Sequence, residues 1–266
     1  MGEYSTIRVE ADVRGVATVT MDRPEVRNAF DDTLIAELAA AAGDLSSDDS
    51  VRVVVLTGAG RIFSAGADLN WMRSMKDWTF DQNVADSTRM NGMFRALYDL
   101  PKPLIGRING HALGGGTGLT AVCDIAIAVD AATFGFTEVV LGLAPAVISP
   151  YVVRKVGRSF ARAVFVTGER FDARRAREAG LVHEVTDSEG LDAAVAAAVD
   201  RCLAAGPNAA AAAKRLPDLA LRPLDQAAAD TVQVIAGLRV SDEGQEGMSA
   251  FFEKRPPSWM SPPAAD

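Results

Sequence analysis

The chain has 266 residues, 48 % of them hydrophobic and 23 % charged, which suffices for one large domain with a smaller appendage. Its formal net charge of −8 opposes non-specific attraction to nucleic acid or to anionic membranes, so neither partner is expected and an anionic ligand must find local help. The two cysteines, Cys123 and Cys202, fall in segments that read as buried, which leaves no disulfide framework and no metal pair. No uncharged apolar stretch is long enough to span a bilayer, and Met1-Gly2-Glu3-Tyr4-Ser5 carries no basic leader, so a cytoplasmic protein is expected.

Apolar residues over 6–10 and Val16–Met21 flank the Arg14-Gly15 turn signal and predict an opening hairpin. Leu34, Ile35, Leu38, Ala41, Ala42 and Leu45 then recur at helical spacing behind Asp31 and Asp32, the candidate N-caps. Residues 51–56 are valine-rich without alternation and predict a strand buried on both faces, followed by a loop over 57–66. A helical pattern over about 83–100 ends at Pro101 and Pro103. Beyond it come a strand at Leu104–Ile108, a glycine-rich turn, a helix over 116–122 and a strand over 124–129, an order that predicts parallel pairing. From 149 onward the chain reads as mainly helical: 151–156, 159–167, 172–179 with Asp172 as N-cap and Gly180 as stop, a short strand over 182–185, and long helices after it. The alanine-rich stretches 193–198 and 209–213 present small faces that suit a subunit interface or an intrachain helix pair. Residues 256–266 read as a frayed tail.

Three motifs could carry chemistry. Phe63-Ser64-Ala65-Gly66-Ala67-Asp68-Leu69 follows the buried strand; its small residues admit a ligand close to the backbone, and Asp68 would cap the next helix. Free N–H groups ahead of a helix favour developing negative charge, although a plain strand-to-helix turn has the same pattern. Asn109-Gly110-His111-Ala112-Leu113-Gly114-Gly115-Gly116-Thr117-Gly118-Leu119 places three consecutive glycines at a helix start, at a cost of about 1 kcal/mol each relative to alanine. Close packing or close ligand approach must compensate. Neither nucleotide-binding glycine pattern fits, since position 119 is Leu and no Gly-Lys-Ser/Thr follows. In Phe134-Gly135-Phe136-Thr137-Glu138-Val139-Val140-Leu141-Gly142-Leu143-Ala144-Pro145, Glu138 is the only charged residue between Asp130 and Arg154. Burial would raise its pKa toward the range of a proton carrier; the alternative is a loop glutamate reaching solvent or an arginine.

In this order and spacing the motifs resemble the crotonase (enoyl-CoA hydratase/isomerase) superfamily, and the resemblance covers nearly the whole chain. It begins at Asp22-Arg23-Pro24-Glu25-Val26-Arg27-Asn28-Ala29-Phe30, similar to the family's early CoA-contacting turn, and ends at Glu246-Gly247-Met248-Ser249-Ala250-Phe251-Phe252-Glu253-Lys254-Arg255-Pro256. It implies an α/β fold, a spiral of ββα turns over residues 1–200, and a helical region over 201–266 that trimerises, often into a dimer of trimers. It further implies an acyl-CoA thioester as partner, with CoA part of the substrate and no metal or redox cofactor. The N–H groups of Ala65 and Gly115 would form an oxyanion hole and Glu138 would carry protons. Gly66, Ala67 and Asp68 would meet the substrate, Val26 and Arg27 the CoA, and Phe251 and Lys254 the CoA of a neighbouring subunit.

One departure matters: two-glutamate hydratases of the family place a second glutamate where this chain has Gly118. A single glutamate is similar to the enoyl-CoA isomerases, and also to bacterial hydratases of branched, carboxylated enoyl-CoAs, which the run 141–151 resembles more. Hydration of a 2-enoyl-CoA is the favoured activity, with 3,2-isomerisation and non-catalytic acyl-CoA binding as alternatives. A glutamate placed at 118 is expected to raise hydration of crotonyl-CoA if the glycine is not needed for backbone geometry. His111 and His183 invite a general-base reading but suit backbone bonding or an interface better. Trp71, Met75 and Trp78 either line an acyl pocket or pack in the core, and whether Arg73, Lys76 or Arg89 meets a distal carboxylate is open.

Overall fold

The computed structural model describes residues 4–260. Strands Ile7–Ala11 (β1) and Val16–Met21 (β2) form the antiparallel hairpin, with Ile7 opposite Met21 and Ala11 opposite Ala17. β2 then lies parallel to Val53–Gly58 (β3), which is buried at every residue, as its unbroken apolar run requires. Helix Asp32–Ser47 (α1) connects them: Asp31 caps it by accepting from Leu34 N–H, and the six apolar residues read from the pattern face the core. Leu104–Ile108 (β4), Ile125–Val129 (β6) and Glu184–Thr186 (β9) continue in parallel, giving the order β1-β2-β3-β4-β6-β9.

A second wall is built from very short strands, Ala112–Leu113 (β5), Thr133–Gly135 (β7) and Arg170–Asp172 (β8), in the order β5-β7-β8. Single bridges from Ser64 to Ala112 and from Phe30 to Ala67 extend this wall toward α1. Successive turns of chain thus place a long strand in the main sheet and a short strand or bridge in the second wall, most of them followed by a helix, which is the expected ββα spiral.

Helices Leu69–Ser74 (α2), Phe80–Tyr98 (α3) and Gly115–Val122 (α4) close these turns. α3 starts earlier than its apolar period suggests, because Thr79 and Gln82 form a reciprocal capping box. The helices expected over 151–156 and 159–167 are both present as the two halves of Ser149–Thr167 (α5), separated at Gly157, where a φ of 75° and ψ of 164° are not helical. Ala173–Glu178 (α6) is capped by Asp172 as read, and Leu191–Ala204 (α7) packs on β3, β4 and β6.

Residues 200 and 201 both lie inside α7, so the helical extension starts at Pro207–Ala220 (α8), not at the expected boundary. Together with Leu224–Val240 (α9) and Asp242–Glu253 (α10), α8 buries only Ala227 and Ala250. Leu224, Val232, Ile235, Phe251 and Phe252 remain exposed. The expected tail is not frayed where it is described. Ser258–Met260 forms a turn in which Trp259 Nε1 donates to Ala204 O at 3.2 Å, while residues 261–266 lie outside the described residues.

Candidate active site

The loop after β3 is shaped by a side chain that pattern reading passed over. Asn28 is fully buried with φ 53°; its Nδ2 donates to Ala59 O at 2.9 Å and Ile62 O at 2.8 Å, and its Oδ1 accepts from Arg23 N–H. Asparagine tolerates this left-handed backbone better than most residues, which is the one signal the sequence offered. Its carbonyl accepts from Ser64 Oγ at 2.8 Å, and the next loop residue, Ala65, donates its N–H to Arg27 O at 3.0 Å. Gly66 O and Asp68 N–H are both taken by the backbone of Phe30. Between them the N–H of Ala67 has no acceptor among the described residues.

Two expectations are corrected here. The Ala65 amide is already used by Arg27, so Ala67 presents the free donor on this loop. Asp68 is not free for substrate: it is 6 % exposed, its Oδ1 accepts from the N–H groups of Asn70 and Trp71, and its Oδ2 faces Arg23.

The second loop runs from β5 into α4. Gly114 adopts φ 51° and ψ −121° and donates its N–H to Gly135 O at 2.8 Å. Gly115 opens α4, so its N–H is one of the first-turn donors a helix leaves unsatisfied. Close approach explains the glycine run: a Cβ on Gly115 would stand 2.6 Å from Phe30 Cε2, and one on Gly116 2.6 Å from Ser64 O. Thr117 Oγ1 locks this loop to the next turn by donating to Ala112 O or Gly135 O, 2.6 and 3.0 Å away.

That next turn, Thr137–Leu141, carries Glu138 directly after β7. A Cβ on Gly114 would stand 3.3 Å from Glu138 Oε1 and 3.9 Å from Gly66 Cα, so the three motifs converge on one point. Glu138 Oε2 is buried with no hydrogen-bond partner. Burial pushes the Glu138 carboxyl above the usual carboxylate range, opposed only by its own backbone amide, and no cation stands close enough to offset it. Beside Gly118 the space is filled by Ile148 and Phe94.

A carboxyl with a raised pKa beside two free amides, at the carboxyl ends of parallel strands, suits addition or proton transfer next to a carbonyl. The enoyl-CoA hydratase/isomerase family model matches residues 12–262. The chain belongs to the enoyl-CoA hydratase/isomerase family. The 2,3-dehydroadipyl-CoA hydratase of Escherichia coli K12 is 36 % identical over 251 residues, covering 92 % of this chain and 94 % of its own. An enoyl-CoA hydratase crystal structure from Shewanella pealeana ATCC 700345 superposes with TM-score 0.91 at 40 % identity, over 97 % of each chain. Pseudomonas aeruginosa AtuE gives TM-score 0.93 at 34 % identity over 97 % of this chain and 100 % of its own.

Within this family framework the remaining candidates separate by position. Val26 and Arg27 stand on the rim of the site, with the Arg27 side chain exposed and its backbone joined to Ala65. Among the described residues neither Phe251 nor Lys254 hydrogen-bonds to that rim. Trp259 packs against Gly247 of α10 and its carbonyl accepts from Arg52, just before β3, whereas the site follows the other end of that strand. His111 and His183 serve the fold: Nδ1 of each accepts a backbone N–H, from Thr133 at 3.0 Å and from Ala126 at 2.9 Å.

Proposed function

We propose that this protein is an enoyl-CoA hydratase that adds water across the 2,3 double bond of a 2-enoyl-CoA. The observation that carries the reading is the unpartnered Glu138 carboxyl beside the free amides of Ala67 and Gly115. As the water oxygen bonds to Cβ, its proton passes to Glu138 and the π electrons move onto the thioester oxygen. The two amides hold that oxyanion, each donor being worth about 3–4 kcal/mol in such a site. Glu138 then returns the proton to Cα, restoring the thioester carbonyl, so one water is gained and Glu138 ends as it began. General acid/base catalysis of this kind contributes about 10²- to 10⁴-fold. Neither step calls for a metal or redox group.

Val26 and Arg27 would meet the CoA from one side and Phe251 with Lys254 of an adjoining subunit from the other. A homotrimer or dimer of trimers is therefore part of the proposal, supported by the exposed apolar residues of α9 and α10. A cytoplasmic location is part of it too; among the described residues no helix is long and apolar enough to cross a membrane.

One observation favours a second reading: the apolar wall of Ile148 and Phe94, where two-glutamate enzymes place a carboxylate, would also suit an isomerase moving one proton on Glu138. Atom tracing in ¹⁸O water decides between them. A hydratase yields a 3-hydroxyacyl-CoA carrying ¹⁸O, whereas double-bond migration without ¹⁸O uptake across 2-enoyl and 3-enoyl thioesters would overturn the hydratase in favour of the isomerase. Binding without turnover of any of them would leave an acyl-CoA binding protein.

A further inference from the structure

A cavity of about 790 Å³ opens at the base of the spiral. Small-molecule sites span roughly 300–1,000 Å³, so it is large enough for a ligand. It is lined by Cys123 and Asp124, which lead into β6, and by Leu100 and Pro101, which precede β4. It therefore lies at the amino ends of these parallel strands, whereas the loops carrying Ala67, Gly115 and Glu138 follow the carboxyl ends. Its other walls come from α3, α5 and α8, which places it between the spiral and the helical extension.

The lining is cationic in a chain whose formal net charge is −8. Arg95, Arg154, Lys155, Lys214, Arg215 and Arg222 share it with three carboxylates. Each carboxylate is already taken: Asp99 by Arg95, Asp218 by Arg154 and the Tyr98 hydroxyl, and Asp124 by Lys214 at 2.9 Å. Arg222 turns to Asp230, outside the cavity, at 2.7 Å. Lys155 and Arg215 are left without a carboxylate partner among the described residues. Lys155 Nζ donates only to carbonyls, to Cys123 O at 2.5 Å and to Asp124 O at 3.4 Å. Burial pushes its ammonium below the usual lysine range and outweighs the opposing pull of Asp124. Cations of one sign gathered in a concave site attract an anion far more strongly than the same charges spread over a surface.

We infer that this cavity binds a small, multiply charged anion bearing phosphoryl groups, held by Lys155 and Arg215 between α5 and α8, at a site separate from that of Glu138. The inference does not depend on the acyl-CoA reading. A surplus of several cations in so small a volume calls for several negative charges close together, which linked phosphoryl groups supply and a single carboxylate does not. Arginine forks suit phosphoryl oxygens, and a lysine acts beside them as a point charge. The Tyr98 and Tyr151 rings, 5.3 Å apart at their centroids, give the same cavity an aromatic wall.

The probe is inorganic pyrophosphate, titrated calorimetrically into the full-length protein. The wild type is expected to bind one pyrophosphate per chain, more weakly as salt is raised. Arg154→Gln combined with Arg215→Gln removes two exposed cations and frees Asp218, and should weaken binding by about tenfold or more. Arg174→Gln on α6, equally exposed and likewise paired with a carboxylate but outside the cavity, should leave affinity within about twofold. Saturating butyryl-CoA, a thioester that cannot be hydrated, should not displace the pyrophosphate. With butyryl-CoA present, ADP then distinguishes the sources of the phosphoryl groups. Affinity equal to that of pyrophosphate assigns recognition to those groups alone, and tighter binding assigns a nucleotide whose base meets the tyrosines; the inference stands in both cases. Absence of binding at millimolar pyrophosphate, an equal loss in Arg174→Gln, unchanged affinity in the double variant, or displacement by butyryl-CoA would each overturn it.

Discussion

Ile148 Cγ2 occupies the space that a Cβ on Gly118 would need, and Phe94 Cε1 lies 3.1 Å from the same point. A glutamate at 118 would therefore have to displace a buried wall before it reached the reacting carbons. Gly118→Glu is expected to lower soluble yield and not to raise crotonyl-CoA hydration, contrary to what the sequence suggests. Gly118→Ala gains about 1 kcal/mol of helix propensity but loses about 1–3 kcal/mol to overpacking, so Tm should fall or at best hold. In an Ile148→Ala background the same change should raise Tm. An equal rise in both backgrounds, measured by thermal melts, would show that Ile148 is not the obstacle.

Glu138→Gln should lower kcat by about two to four orders of magnitude while acyl-CoA affinity stays within a few-fold. It should also stabilise the fold. The folded-state pKa of Glu138 is raised, so its contribution to stability is full below the ordinary glutamate value near 4.5 and is lost as pH rises through the folded pKa. The variant's Tm advantage should be present at pH 8 and vanish near pH 4. In the wild type, kcat/KM should fall on the acid side at a pH above the usual carboxylate range. Undiminished turnover by the variant on every enoyl-CoA tried would remove Glu138 from the mechanism.

His183 titrates the other way. Burial, and then the Lys155 charge, hold its pKa below 6.5, and its Nδ1 can accept from Ala126 N–H only when neutral. Its contribution to stability is full above about pH 6.5 and is lost as pH falls through and below that value. His183→Asn keeps an acceptor that does not protonate, so its Tm should decline less than wild type between pH 7.5 and 5.5. Parallel Tm profiles would refute this.

Light scattering at micromolar concentration should report a trimer or hexamer. Truncation before Ser241 removes α10 with Phe251 and Lys254, and should reduce both the assembled mass and the affinity for CoA thioesters. A monodisperse full-length monomer would contradict the shared-site arrangement.

Most of the frame was legible wherever one residue type answers one local demand. The caps Asp31, Asp68 and Asp172 and the inner face of α1 follow from spacing alone. β5, β7 and β8 were not legible, because two or three residues cannot establish an alternating period. Within the site, Glu138 announced itself by its isolation among apolar neighbours. Which amide of the first loop stays free did not, because it depends on the Arg27 carbonyl brought in from a separate turn. The filling of the space at Gly118 depends likewise on Ile148, a contact no linear pattern encodes.

Arg52 has a bearing on how the protein is made. The guanidinium beside β3 donates to Leu203 and Ala205, 151 and 153 positions later, and to Trp259, 207 positions later. At about 5–20 residues per second, the last of these acceptors is synthesised some 10–40 s after Arg52 itself. For most of that interval the growing chain holds a cation with none of these carbonyls yet made, and for the rest of it only Leu203 and Ala205 are present. The contacts of Arg52 are therefore completed late, and a chain ending anywhere before Trp259 leaves the arginine short of at least one of its three acceptors.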